Sequence, residues 1–274
     1  MVSPQKIRFN GVWSTAGLNP LEIIMDVAFD SDNGEMSSFL NRSAVASESY
    51  DGRYRRTTRY KHDELFTPKF TMVKKDFSDF TQDEVRQVLK YLTHTDKPAL
   101  LEVYYEDTEA VDFAAIGGWT EISTYKFANN RTVGIVATFE AITPYAMSDI
   151  WSFTKPAGQA SFELITIDTD DNKPIYPRVT IKHASSSVKF INKHTILNHS
   201  QTYSSIVVSN NASDEEIIID GANQIISSSN SKRIFGDDFN WKWLELYDGK
   251  NEITVEGDCE VILEYRTVIK CGEY

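Results

Sequence analysis

Apolar and polar residues alternate with a period of two along much of this chain, the spacing that turns one face of a β-strand to a core and the other to water. The clearest case is 241–257, WKWLELYDGKNEITVEG. Trp243, Leu244 and Leu246 lead into Asp248-Gly249-Lys250-Asn251, and Ile253 and Val255 then share one face until Gly257. Asp-Gly accepts the positive φ of a tight turn, so the pattern predicts a β-hairpin. The same reasoning predicts strands at 6–12, 21–29, 100–106, 120–127 and 133–143, with Asn129-Asn130 turning between the last two. In the second half they fall at 162–167, 178–183, 188–192, 204–208, 216–219, 224–228, 251–256 and 260–267. Asp220-Gly221 marks another hairpin, and Gly257-Asp258 lies between the final pair. Short strands punctuated by turns predict a β-sandwich. Residues 150–156 read as a connector, which sets a boundary near 148 and two domains, 1–148 and 149–274.

One helix interrupts the strands. Phe80-Thr81-Gln82-Asp83-Glu84-Val85 carries a capping box, in which Thr81 and Glu84 each satisfy an orphan backbone N–H, with Phe80 and Val85 at the hydrophobic-staple positions. Val85, Val88, Leu89 and Leu92 repeat at helical spacing and Pro98 bars continuation, which predicts an amphipathic helix over 81–95 lying on the first domain's sheet. Residues 39–62 are polar, with Arg and Tyr alternating after Asp51-Gly52. They predict an exposed, extended hairpin arm.

The 274 residues have room for about two domains. A hydrophobic fraction of 41% is too high for disorder, and 13 Tyr, 15 Phe and 5 Trp favour strands. The net charge of −12 repels phosphate, which argues against stable nucleic-acid binding by the chain as a whole. It suits a surface that nucleic acid must pass without adhering. Cys259 and Cys271 make neither a disulfide framework nor a CxxC metal spacing; they fit a reducing compartment, with a single bridge between them left open. The opening MVSPQKIRFN has no apolar h-region, and no apolar run approaches the ~20 residues of a membrane helix. The expectation is a soluble protein, made in the cytoplasm and not bound to membrane.

Catalytic signatures are missing: there is no GxSxG, HExxH, P-loop or GxGxxG. None of His62, His94, His183, His194 and His199 stands at metal-ligand spacing. Asp30-Ser-Asp32-Asn-Gly34 lacks the sixth-position Gly and twelfth-position Glu of a calcium loop, and Asp168, Asp170 and Asp171 have no Gly to bend around an ion. The expectation is no catalytic, metal or cofactor site. A glycosidase would need two of the 40 acidic residues to face one cleft. Trp241 and Trp243 flank Lys242 and on a strand would share a face, either in the core or stacked on a sugar ring. That second fate is the basis of an alternative reading, a module that binds a host-surface glycan. Arg53, Arg55, Arg56, Arg59 and Lys61, interleaved with Tyr54 and Tyr60, form the one basic cluster. In so acidic a chain they suit an acidic neighbouring subunit, where charge would set register and orientation.

Several motifs also fall in a recognisable order. FNGV at 9–12 with Gly17-Leu18, DGRYRR at 51–56, the capped helix followed by Lys97-Pro98 and a strand, and TFEAITPYA at 138–146 resemble the N-terminal domain of siphophage distal tail (Dit) proteins. YPRVTIK at 176–182, EIIIDGANQII at 216–226 and the segment 241–257 resemble that family's C-terminal domain. The resemblance implies a mainly β protein: an N-terminal β-sandwich carrying one α-helix, then a galectin-like β-sandwich. It implies a structural protein of a long non-contractile tail, located at the virion tail tip. There, six copies would form a ring joining the tail tube protein to the baseplate or tail-tip hub, around a channel for DNA. It carries over no catalytic residue. Arg53, Tyr54, Arg55, Arg56 and Arg59 are the candidate subunit-interface residues, and Trp241 and Trp243 the glycan-binding ones under the alternative.

Overall fold

The computed structural model describes residues 5–18, 21, 23–28, 42–48, 55–62, 65–105, 109–127, 131–162, 164–171, 173–184, 186–195 and 201–270. The chain divides into two compact units, Met1–Asp149 with Ile269–Tyr274, and Ile150–Val268. Each is mainly β and has its own apolar core.

In the first unit, β1 (Gln5–Phe9) turns through Asn10 and Gly11, both at positive φ, into β2 (Val12–Trp13), the geometry a two-residue hairpin demands. A helical turn, α1 (Ser14–Gly17), leads to β3 (Ile23–Ala28), a hairpin of β4 (Arg42–Glu48) and β5 (Arg55–His62), and β6 (Lys69–Lys74). Helix α2 (Gln82–Leu92) precedes β7 (Ala99–Tyr105), β8 (Val111–Phe127), β9 (Arg131–Ala141) and β10 (Ala146–Met147). Strand pairing runs β1-β3-β6-β9-β8 and returns through β7 to β1, antiparallel throughout. Closing the cycle removes free edges, the part of a sheet most prone to wrong pairing. Phe9, Phe70 and Phe139 fill its interior, with Trp119 meeting all three rings edge-on at 5.2–5.9 Å.

Strand β8 is twice as long as the pattern indicates. It begins at Val111 and runs on through Gly117-Gly118. A Cβ at Gly117 would lie 2.1 Å from the Glu140 carbonyl oxygen, so glycine here permits close approach of β9. β6 was not anticipated at all.

The capping box on α2 is formed in full. Thr81 Oγ1 accepts from the Glu84 N–H at 3.3 Å, and Glu84 Oε2 accepts from the Thr81 N–H at 2.7 Å. The helix stops at Leu92 rather than 95, because Thr93 Oγ1 donates to Leu89 O (2.8 Å) and His94 Nδ1 binds Tyr91 O (2.6 Å), satisfying the last-turn carbonyls. Its buried stripe is Val88, Tyr91 and Leu92, with Leu89 exposed. Lys74 Nζ lies 2.7 Å from Glu84 Oε1, and this bond, ahead of the Thr81 N–H, holds the Glu84 carboxyl below its usual range. A depressed carboxylate stabilises the fold above its unfolded pKa and loses that contribution as pH falls through the folded value. Glu84→Gln should therefore lower the thermal midpoint at pH 7, and the gap to the native chain should close below pH 4.5.

The second unit stacks two antiparallel sheets over one core, a β-sandwich. One sheet is β11 (Trp151–Lys155), β19 (Glu260–Tyr265), β13 (Arg178–Lys182), β16 (Ile217–Asp220) and β17 (Ile225–Ser228), in that order. The other is β12 (Ile165–Ile167), β18 (Gly249–Glu256), β14 (Val188–Thr195) and β15 (Gln201–Val208). The expected hairpin at Asp220-Gly221 joins β16 to β17.

Three expectations are corrected. Residues 150–156 are no connector: 151–155 form edge strand β11, paired with β19 from Trp151↔Tyr265 to Lys155↔Val261. The segment 241–257 is half a strand and half a loop, since β18 pairs with β12 and β14 and the arm before Asp248 is held by one isolated bridge, Ile175↔Leu246. Gly257-Asp258 carries the chain from one sheet to the other, because β18 and β19 belong to different layers.

Candidate functional site

The basic cluster falls on the β4/β5 hairpin, which forms its own two-stranded sheet. Arg55, Arg56 and Arg59 sit on β5 opposite Glu48, Ser47 and Val45, with a register shift between Val45 and Ala46. Arg53 and Tyr54 lie outside the described residues, as does the Asp30–Gly34 turn. Within the arm expected over 39–62, the described residues 42–48 and 55–62 pair as two antiparallel strands.

Trp241 and Trp243 do not share a face. Neither is on a strand; Trp241 has φ +52°, is 58% exposed, and donates from Nε1 to Gly236 O at 3.0 Å. Trp243 is half-buried against the core. Phe239 meets both indoles edge-on, at 5.5 and 5.3 Å. Nearby, Glu245 accepts from two phenols, Tyr176 Oη at 3.3 Å and Tyr247 Oη at 2.5 Å. Burial, reinforced by this carboxylate, pushes both phenols up. The arrangement fixes the loop rather than offering a reactive group.

Among the described residues no group of three or more His, Cys, Asp or Glu could hold a metal ion. Cys259 is buried, and burial pushes its thiol up; Cys271 lies outside the described residues. Among the described residues no helix is long and apolar enough to cross a membrane.

Two features of the first unit lie at opposite ends of β9 and were not singled out from the pattern. At the Arg131 end the β6–α2 turn meets the far end of the β8/β9 hairpin: Arg131 pairs with Asp79 at 2.5 Å and the Phe80 N–H donates to Thr132 O at 2.7 Å. Here Phe77, Tyr125 and Phe127 are 77%, 62% and 64% exposed. Phe77 also has φ +56°, a left-handed conformation that costs a bulky residue about 1–3 kcal/mol. An aromatic residue in the polar turn Lys-Lys-Asp-Phe-Ser was the available signal. At the Ala141 end, Thr93, residues 95–98, Gly117–Thr120 and Glu140–Ile142 line a pocket of about 510 Å³. Trp119, Pro98, Leu65 and Ile142 give it apolar walls, and the exposed Asp96, Lys97 and Glu140 rim it.

Residues 8–143 match the phage tail protein N-terminal domain and residues 145–265 the phage tail C-terminal domain. No curated protein sequence matches the chain. Among solved structures it is similar to the Dit protein of phage SPP1, a paradigm of the hub adsorption apparatus in phages infecting Gram-positive hosts, with a TM-score of 0.62 at 10% identity over 96% of this chain and 98% of that one. It is also similar to a chain of the phage P2 baseplate in its activated conformation with Ca, with a TM-score of 0.56 at 11% identity over 99% of this chain and 100% of that one. Two tail domains in sequence, on a fold shared end to end with a Dit protein, identify the chain: it belongs to the phage tail protein family that these paired domains define.

Proposed function

We propose that this protein is the distal tail adaptor of its phage, a ring that joins the tail tube to the baseplate hub and leaves a channel for DNA. The observation carrying this reading is the likeness to the SPP1 Dit hub protein, which leaves almost no part of either chain unmatched. The second unit then corresponds to the family's galectin-like domain, and the net charge of −12 suits a lumen that must not hold DNA. A closed ring needs head-to-tail contacts between different faces of each protomer. The β4/β5 arm, with Arg53, Tyr54, Arg55, Arg56 and Arg59, is a candidate for one of them. Light scattering and negative-stain microscopy test the reading. The expected particle has six times the 31.2 kDa protomer mass and a central hole. Reversing the charge of Arg53, Arg55 and Arg56 together should shift it towards protomers, and an unchanged oligomer would remove the arm from the interface.

The exposed indole of Trp241 favours a second reading, recognition of a host-surface glycan by the second unit. Binding on a glycan array that disappears in Trp241→Ala, with the fold intact, would establish it.

A further inference from the structure

We propose that the aromatic end of the first unit, Phe77, Tyr125 and Phe127, docks into the 510 Å³ pocket at the opposite end of the same unit in a second copy of the chain. The proposal deepens the ring reading by naming its contact, and so rests on it. Three bulky rings are held in water at one end of β8/β9, one of them in a backbone conformation that Asn or Gly would adopt with less strain. Burial in a partner accounts for both the exposure and the strain. The pocket falls within the roughly 300–1,000 Å³ of ordinary binding sites. Gly118 is among its lining residues, and a Cβ there would meet no atom within 4 Å.

Charge matches as well. The aromatic end carries Lys75 and Lys126 with Asp76 and the Arg131–Asp79 pair, a positive surplus in an acidic chain. The pocket rim carries Asp96 and Glu140 with Lys97, a negative one. Arg131 and Glu140 stand nine residues apart on β9, which at ~3.3 Å per residue separates the two surfaces by about 30 Å. A contact between such distant, unlike surfaces is head-to-tail, the kind that closes into a ring.

Replacing Phe127 with p-benzoylphenylalanine in the full chain and irradiating it should give covalent dimers whose cross-links map to residues 93–98 or 140–142. Gly118→Leu, which adds bulk to a residue lining the pocket at a position where a Cβ meets no atom within 4 Å, should cut that yield on the order of tenfold with an unchanged thermal midpoint. Ile142→Glu, at an exposed position, should do the same if the leucine variant does not fold. Absent dimers, cross-links elsewhere, or yields unmoved by the folded variants would overturn the proposal. Six-fold particles with cross-links elsewhere would overturn it and leave the ring reading standing. Cross-links at the pocket in native particles that are only dimers or open chains would sustain it and overturn the ring.

Discussion

Lys155→Met should destabilise the second unit by about 3 kcal/mol, because the buried Cys259 carbonyl and the part-buried carbonyls of Pro156 and Gln159 would each lose a charged donor. Lys155 is 1% exposed, and its Nζ donates to Pro156 O at 3.0 Å, Gln159 O at 2.8 Å and Cys259 O at 2.8 Å. An ammonium has three N–H groups, and all three are used. They tie the end of β11 to the start of β19, and Gly158 N–H donating to Asp258 Oδ1 at 2.7 Å closes the same corner. Methionine keeps the unbranched stem and removes the donors, so the loss isolates hydrogen bonding from packing. Some of the gross loss returns because no cation is buried, which holds the expectation near 3 kcal/mol rather than higher. Urea denaturation gives the magnitude, and hydrogen exchange should show the β11 and β19 amides losing protection first. A midpoint shift worth less than about 0.5 kcal/mol would mean that water reaches these carbonyls without cost.

Lys155 also shows where reading the sequence stops. A lysine in a polar segment reads as solvated, and nothing in WSFTK says that its fifth residue is enclosed. The helix was legible because its signals are local: the cap, the staple and the stripe all lie within twelve residues of one another. Its C-terminus was not, since His94 and Thr93 end it through side chains that competed with continuation. Strands with clean alternation, such as β18 and β13, were placed close to their observed bounds. Which strands pair was beyond local pattern, so a turn signal at Gly257-Asp258 suggested neighbours that lie in different sheets. The candidate surfaces were less legible still. The basic arm stood out as composition, whereas the pocket draws its walls from Phe9, Leu65, 92–93, 95–98, 117–120 and 140–142, segments brought together only by closure of the sheet.

Asn251→Leu should cost about 4 kcal/mol, and the reason explains why 241–257 is not a hairpin. Asn251 is wholly buried on β18. Its Oδ1 accepts from Tyr247 N–H at 3.0 Å while its Nδ2 donates to Tyr247 O at 2.7 Å and Gly249 O at 3.2 Å. One amide side chain thereby gives Tyr247 the donor and acceptor that a partner strand would have supplied. Asn192, from β14, donates through Nδ2 to Asn251 Oδ1 at 2.9 Å and to Glu245 O at 2.7 Å, extending the imitation by one more residue of the loop. Leucine matches the volume but removes the Asn251 partner of the Tyr247 N–H and C=O, of Gly249 O and of one Asn192 N–H, each lost bond at this part-buried site costing about 1–3 kcal/mol. Asn192→Leu should cost about 2 kcal/mol, as fewer groups are orphaned. Because the two amides share a bond, the double variant should lose less than the sum of the singles, with a coupling above about 0.5 kcal/mol in a double-mutant cycle. Strict additivity would show that each asparagine holds the loop independently, and an Asn251→Leu loss below 1 kcal/mol would show that the loop keeps its hydrogen bonds without the side chain that now stands in for a strand.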